Sequence, residues 1–391
     1  MLGLLLARAG IKILVIEKHA DFLRDFRGDT IHPSTMEILH ELGVLDEFLR
    51  LPHQEVANIS AKIGSETFRI ADVSRLRTHC RFVALMPQWD FLNFVADQAQ
   101  RYPNFTLLMQ TEATALSEHD GIVAGVEART PDGPHVIRAE LVVGADGRHS
   151  IVRESAGLKG VELGAPMDVM WFRLARRPAD PAETAGRVVA GALFIQIYRG
   201  EHWQCGLVIP KGANEAIRQG GLESFRGRLA EIEPTLKERV SELRDWEQIK
   251  LLTVQVDRLT RWYRPGLLCL GDAAHAMSPI GGVGVNLAIQ DAVAAANVIA
   301  APLRFGKLTV EHLERVQRRR MLPTRVIQNL QLTVQKRVIA RVLDAAGPLT
   351  PPLALRIARR IPLVQRITGR LIGLGFRPEH VESFAVTPTP L

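Results

Sequence analysis

The segment CLGDAAHAMSPIGGVGVNLAIQDA, Cys269 to Ala292, constrains the fold more than any other part of the chain. Leu267, Leu268 and Leu270 read as the end of a buried strand, and Gly271-Asp272 follows. Gly281, Gly282 and Gly284 form a loop whose backbone can approach a ligand closely, because no Cβ intervenes. Asn286 and Leu287 open a helix whose free N–H groups point back into that loop. An acid at a strand end, a glycine nest and a helix N-terminus together suit a dinucleotide, which carries both hydroxyls and phosphates.

A second segment, LVVGADGRHSIVR from Leu141 to Arg153, has the same character. A short apolar run ends at Gly144, Asp146-Gly147 makes a tight turn, and Ser150 caps a helix beginning at Ile151. A lone GxDG is usually only a turn. Two strand–Gly/Asp–helix junctions in this order are far more specific.

GADGRHSIVR resembles the "DG" motif, and GDAAHAMSPIGGVGVNLAIQDA the "GD" motif, of flavoprotein monooxygenases related to p-hydroxybenzoate hydroxylase. The resemblance covers nearly the whole chain. It implies an α/β fold, with a Rossmann-like FAD-binding domain, an antiparallel-sheet substrate domain and a C-terminal helical region. The implied boundaries are 1–56, 85–160 and 262–300 for the FAD domain, 57–84 and 161–261 for the substrate domain, and 301–391 for the helical region. Asp272, after Gly271, would bond the ribityl chain. Pro279 and the 281–286 loop, with Gly282, Gly284, Val285 and Asn286, would meet the pyrophosphate and flavin ring. Asp146 and Gly147 would hold the FAD side and border the nicotinamide path. Arg27 matches a family arginine on FAD, and its planar fixed charge suits a pyrophosphate. Gln88 matches the family's Arg/Gln at the ribityl or adenosine side. His275 falls at a position that is structural in the family, so no catalytic residue is assigned, and no metal cluster is seen.

The beginning of the chain departs from the pattern. MLGLLLARA is an apolar helix without a cap, ended by Gly10 as a C′ glycine, and IKILVI is a buried parallel-type strand. Glu17 at its end is the acid that bonds a ribose hydroxyl in a βαβ unit. The G-x-G-x-x-G that belongs about 20 residues earlier would fall at or before Met1, so the first strand and its fingerprint are expected to be missing.

Between Val56 and Met86 three short strands are expected, then a helix from Trp89 to Tyr102 and a hairpin region over 111–140. Ser34 is expected to cap a helix over 35–42. Residues 165–262 alternate as antiparallel strands, followed by helical stretches around 213–231 and 233–244. Trp171, Arg173, Gln196 and Trp203 are candidates to line the substrate pocket.

The resemblance implies reduction of FAD by NADPH or NADH. A C4a-hydroperoxide formed with O2 would then hydroxylate an aromatic or other electron-rich small molecule. Rival readings are a reductase of the prenyl-reductase type and a truncated, inactive member; the WxWxIP segment of halogenases is absent.

Three scattered cysteines without a CxxC argue against a zinc site or disulfide framework and favour a reduced, cytoplasmic setting. No uninterrupted apolar run reaches the roughly 20 residues that span a bilayer. The net charge of +7 is uneven: residues 305–377 hold fifteen Lys/Arg against three acids, leaving the remainder acidic. Such a tail suits a weak membrane-surface contact, but a solvated helical face is the commoner use of a charge run. No motif or aromatic interleaving supports nucleic-acid binding.

Overall fold

The computed structural model describes residues 1–391 except 24–29, 65, 181–183, 348, 352–360 and 387–391. Helix α1 (Leu2–Arg8) leads into β1 (Ile13–Ile16). Then come β2 (Thr30–Ile31), α2 (Pro33–Glu41), α3 (Leu45–Phe48), β3 (Gln54–Val56), β4 (Asn58–Ile63), β5 (Glu66–Asp72) and β6 (Val83–Leu85). Next are α4 (Gln88–Gln100), β7 (Phe105–Leu108), β8 (Glu112–His119), β9 (Ile122–Thr130), β10 (Gly133–Arg138), β11 (Val142–Gly144) and α5 (Ile151–Ser155). The middle of the chain holds β12 (Gly160–Glu162), β13 (Met167–Ala175), β14 (Ala185–Val189), β15 (Ala192–Tyr198), β16 (His202–Pro210), α6 (Asn214–Gln219) and α7 (Leu222–Ile232). It ends in β17 (Lys250–Leu252), β18 (Asp257–Leu259), β19 (Tyr263–Arg264) and β20 (Leu267–Cys269). Helices α8 (Val283–Arg304), α9 (Val310–Val334), a π-turn Gln335–Ile339, α10 (Ala340–Leu343) and α11 (Pro362–Gly373) complete the described chain.

Two parallel pairings build the α/β part. β1 runs beside β7, and β11 beside β20, with Gly144 opposite Cys269. The two motif segments therefore lie on neighbouring parallel strands, and both helices α5 and α8 start from the same end of that pair. α1 stops where the sequence says: Gly10 takes φ +77, and Ile11 N–H returns to Leu6 O while Gly10 N–H returns to Ala7 O. The strand after it is not buried as expected. Among the described residues β1 hydrogen-bonds only to β7, and Leu14 is 41% exposed.

The second part is a seven-stranded sheet in the order β17-β13-β16-β15-β14-β4-β5. Its β4 and β5 come from the early segment 58–72. One face packs on α7 through Phe172, Phe194, Trp203, Phe225 and Leu229. The other faces the α/β part through Val169, Trp171, Ile195, Ile197 and Val208. The 111–140 region is a three-stranded meander rather than one hairpin, because a second turn at Asp120-Gly121 precedes the one at 131–132.

Two helix expectations fail locally. Pro33 takes the first position of α2 and His32 the N-cap, so Ser34 lies inside the first turn and does not cap. Residues 233–244 form only two 3-10 turns, Pro234–Leu236 and Val240–Glu242, after Pro234 interrupts the ladder. α8 with its lead-in, Ile280–Arg304, is long and apolar enough to cross a membrane, but 78% of that window is buried inside the protein, where it forms the centre of the main core.

Candidate active site

β20 delivers Gly271-Asp272 into a 3-10 turn, Gly271–Ala273. The chain then runs extended through Ser278 to a second 3-10 turn, Ile280–Gly282, and enters α8 at Val283. The helix thus opens three residues before Asn286, and the N–H groups of Val283, Gly284 and Val285 lie in its first turn. The Asp272 side chain keeps 34% exposure and lies 3.8 Å from the Arg148 guanidinium of the turn after β11. Arg148 also donates to Thr253 O at 3.0 Å, which joins that turn to the seven-stranded sheet's segment.

The glycine loop is shaped from outside. Gly282 sits at φ +61, and a Cβ there would fall 2.2 Å from Thr30 Oγ1, which donates to Gly282 O at 2.9 Å. Asn286, expected to meet the cofactor, is otherwise engaged. Its Oδ1 accepts from His32 N–H and Thr35 Oγ1, both at 2.8 Å, and its Nδ2 donates to Thr30 O at 3.0 Å and Gly282 O at 3.2 Å. With all four bonds made, the side chain fixes the loop. Burial lowers the His32 imidazole from 6.5 to about 4, against the opposing pull of Ile372 O, 2.6 Å from Nδ1.

The DG segment is tied to the GD segment through Asp257. Ser150 caps α5 by accepting from Arg153 N–H at 2.9 Å, as expected, and Asp146 Oδ2 accepts from Val152 N–H at 3.2 Å. The Arg153 guanidinium pairs with Asp257 at 3.0 Å, and Asp257 Oδ1 takes Ala276 N–H at 3.1 Å. Gly147 follows Asp146 in a half-exposed turn. Pro279 is half-buried and accepts Gly282 N–H at 3.1 Å. Glu17 ends β1, its backbone held by Leu108 O and Thr111 N–H, and Gln88 is the first residue of α4. Arg27 lies outside the described residues.

Strand alternation divides the four pocket candidates. Trp171 pairs with Gly206 and Arg173 with Gln204, on the face toward the α/β part. Trp203 packs in the cluster under α7, and Gln196, opposite Cys205, shares that face. These two are corrected: their side chains point away from the glycine loop. Period-2 patterning separates two faces but does not say which one is roofed by helices.

Behind the loop lies a buried charged network. Asp291 of α8 meets His275 Nε2 at 2.6 Å, Gly271 N–H at 3.3 Å and Arg320 Nε at 2.8 Å. Arg320 continues to Glu379 at 3.4 Å. Burial pushes the Asp291 carboxyl up, but His275 and Arg320 outweigh it and hold the acid below its usual range. His275 is 1% exposed and bound inward, which makes it a buried support of the loop. The sequence reading passed over Arg148, Asp257, Asp291 and Arg320. For Asp291 and Arg320, charged residues within apolar helical stripes were the available signal.

A half-exposed acid, a glycine loop without Cβ atoms and the N-terminus of a 22-residue helix fit the ribityl and pyrophosphate part of FAD. The model of the FAD binding domain family matches residues 1–329. The chain is 31% identical to 6-methylpretetramide 4-monooxygenase of Streptomyces rimosus, over 92% of this chain and 86% of that relative. It is 26% identical to 3-demethoxyubiquinol 3-hydroxylase of Escherichia coli (strain K12), over 84% of each. Among solved structures it resembles the PqsL of P. aeruginosa in complex with 2-aminobenzoylacetate, with TM-score 0.73, 23% identity, and coverage of 88% of this chain and 94% of that one. The OxyS anhydrotetracycline hydroxylase from Streptomyces rimosus gives TM-score 0.73 at 21% identity, covering 96% of this chain and 74% of that one. The chain therefore belongs to the FAD binding domain family, and it is an FAD-dependent aromatic hydroxylase, a monooxygenase that draws its electrons from NAD(P)H.

Proposed function

We propose that the substrate is a hydroxyl-bearing, fused-ring aromatic small molecule held between the glycine loop and the seven-stranded sheet. The observation that carries this is the composition of the inward sheet face: Val169, Trp171, Ile195, Ile197 and Val208 cluster with Ile280 at the start of the loop. That surface matches a flat apolar ring system and excludes water from the reacting centre. The names of the relatives point the same way, since a pretetramide and an anhydrotetracycline are substrates of the matched enzymes.

Bound FAD would supply the redox chemistry, taking a hydride from the nicotinamide and activating dioxygen. The chain's own residues bind and orient. Asp272 and the first-turn N–H groups of α8 take the ribityl and phosphates. Asn286 and Thr30 hold the loop, and Pro279 walls the flavin ring. Glu17, Gln88, Asp146 and Gly147 border the rest of the cofactor, and Arg173 the outer end of the substrate face.

The separate cores support the domain division proposed from sequence. Residues 57–84 and 161–261 share the seven-stranded sheet, and 1–56, 85–160 and 262–300 supply the parallel strands and α8. Among the described residues β1 pairs only with β7 and β11 only with β20, while Ile13 and Ile16 pack in the same clusters as Val143 and Val142. On α11, Leu363, Val364 and Ile367 are exposed beside Arg366 and Arg370, which supports a weak membrane-surface contact. The cysteines Cys80, Cys205 and Cys269 are free and buried, in keeping with a reduced, cytoplasmic setting.

The test is NADPH- or NADH-driven oxygen uptake by FAD-loaded protein with naphthols and larger fused-ring phenols. Substrate-dependent oxygen consumption with a hydroxylated product is expected. Nicotinamide oxidation stimulated by substrate with no oxygen consumed would overturn the proposal.

A further inference from the structure

Helix α11 has two edges of opposite character. Its inner edge sits backbone to backbone on the end of β5: a Cβ at Gly369 would fall 2.0 Å from Asp72 O, and one at Gly373 would fall 2.7 Å from Leu76 Cδ1. Thr368 Oγ1 donates to Ile70 O of the same strand at 2.6 Å. Gly369 and Gly373 are one turn apart, so this contact fixes the rotation of the helix about its axis. The outer edge is thereby held away from the core. Leu363 and Ile367, also one turn apart, are 62% and 51% exposed there, with Val364 and the preceding Ile361 exposed beside them. Apolar side chains grouped on a pinned surface and rimmed by charge mark an interaction face.

A basic cleft runs along the side of this face. Arg366 of α11, with Arg69 of β5 and Arg75 of the turn after it, lines an open space of about 670 Å³, together with Thr67 and Asp72. Asp72 is the one acid among the lining residues, and it is already engaged. Its Oδ1 accepts from Ser74 N–H at 3.0 Å and Ser74 Oγ at 2.5 Å, and its Oδ2 stands 4.0 Å from Arg69. Three guanidiniums against one acid leave the cleft cationic. Arg370, one turn beyond Arg366, carries the charge along the same side of the helix.

We propose that this cleft docks an anionic phospholipid surface: a headgroup phosphate enters between Arg69, Arg75 and Arg366, while Leu363, Val364 and Ile367 enter the interface beside it. Guanidinium forks match pairs of phosphate oxygens. A helix lying in an interface buries its apolar face by about 5–10 Å, close to its own radius of roughly 5 Å, so the cleft and the outer edge reach neighbouring depths of one leaflet. A second copy of the chain is a poor occupant, because a two-fold contact would set the same arginines against one another. The proposal rests on the membrane-surface reading given under Proposed function and adds to it the site that holds the headgroup.

The test is co-sedimentation of the FAD-loaded chain with phosphatidylcholine vesicles, with and without phosphatidylglycerol. Binding to the anionic vesicles alone, weakened by salt, is expected. Arg69→Gln with Arg75→Gln and Arg366→Gln should weaken it at least tenfold, since each basic residue at such a surface contributes about fivefold. Lys307→Gln with Arg315→Gln and Arg318→Gln removes the same charge from exposed positions elsewhere and should weaken it less than about twofold. Equal weakening by the two triple variants would overturn the headgroup site while leaving the membrane-surface reading intact. Binding of glycerol 3-phosphate without vesicle binding would assign the cleft to a free phosphate and overturn the proposal. Self-association of the chain that Leu363→Ser with Ile367→Ser abolishes would overturn it in favour of a second copy. Absence of wild-type binding to either vesicle would overturn the membrane-surface reading and the proposal together.

Discussion

Two polar assemblies hold the stretch Gly271–Ile280 from behind, and they are built on different rules. The charged one, His275–Asp291–Arg320–Glu379, is closed around its acid: the Asp291 carboxylate takes three donors, and Arg320 reaches carboxylates on both sides. Each group keeps one buried atom without a hydrogen-bond partner among the described residues, His275 Nδ1 in the charged one and Gln335 Oε1 in the neutral one, Gln328–Gln331–Gln335. An ion in a low-dielectric interior cannot be left single without a large penalty, whereas one missing neutral hydrogen bond is tolerable. Both groups therefore fix position, and the charged one loses more when a partner is removed.

The sharpest way to break this contrast is Asp291→Ala. It strands Arg320 beside a single carboxylate and releases His275, so unfolding free energy should fall by about 3–5 kcal/mol in urea titrations. A loss under about 1 kcal/mol would show that the charges are not the fixing element.

His32 passes from one class to the other with pH. Above its unfolded value of 6.5 it is neutral in both states. Between 6.5 and about 4 the unfolded chain takes up a proton that the buried imidazole refuses, so stability falls as pH falls. The full window corresponds to roughly 3 kcal/mol, and His32→Asn should flatten that part of the stability profile. An unchanged slope in the variant would assign the acid sensitivity to other groups.

Within the ladder, Gln331→Leu leaves two carbonyls and an N–H of the 278–280 segment without their partner and should cost about 1–3 kcal/mol. Gln335→Leu removes one bond, and its cost should stay below about 1 kcal/mol by the same measurement. The reverse order would make Gln335 the stronger support of the segment.

The smallest effect is expected at α11, whose arginines are solvated where Arg320 is sealed. Leu363→Ser with Ile367→Ser should change stability by within about 0.5 kcal/mol. The pair should reduce co-sedimentation with anionic phospholipid vesicles. Absence of wild-type co-sedimentation would remove the membrane contact.

Much of the site was legible because its chemistry is local. Gly281, Gly282, Asp272 and the start of α8 are contiguous, and Ser150 caps the helix it precedes, as short-range geometry requires. The contacts that shape the site are not contiguous. Thr30 meets Gly282 across 252 positions, and His32 meets Ile372 across 340. Asn286 reads as a ligand residue in its motif, yet the structure turns its four bonds to Thr30, His32, Thr35 and its own loop's Gly282. Trp171 and Trp203 look alike in alternating strands, but the register Trp171–Gly206 and Leu174–Trp203 puts them on opposite faces.

The sequence alone determined the kind of ligand, the α/β class and the two motif strands, since glycine freedom, strand alternation and helix capping act over a few residues. Only the tertiary structure decided which sheet face meets the cofactor domain and which polar groups close on each other. Those outcomes depend on the burial of groups far apart in the chain, where the cost of an unpaired charge or dipole is set by neighbours the local pattern does not name.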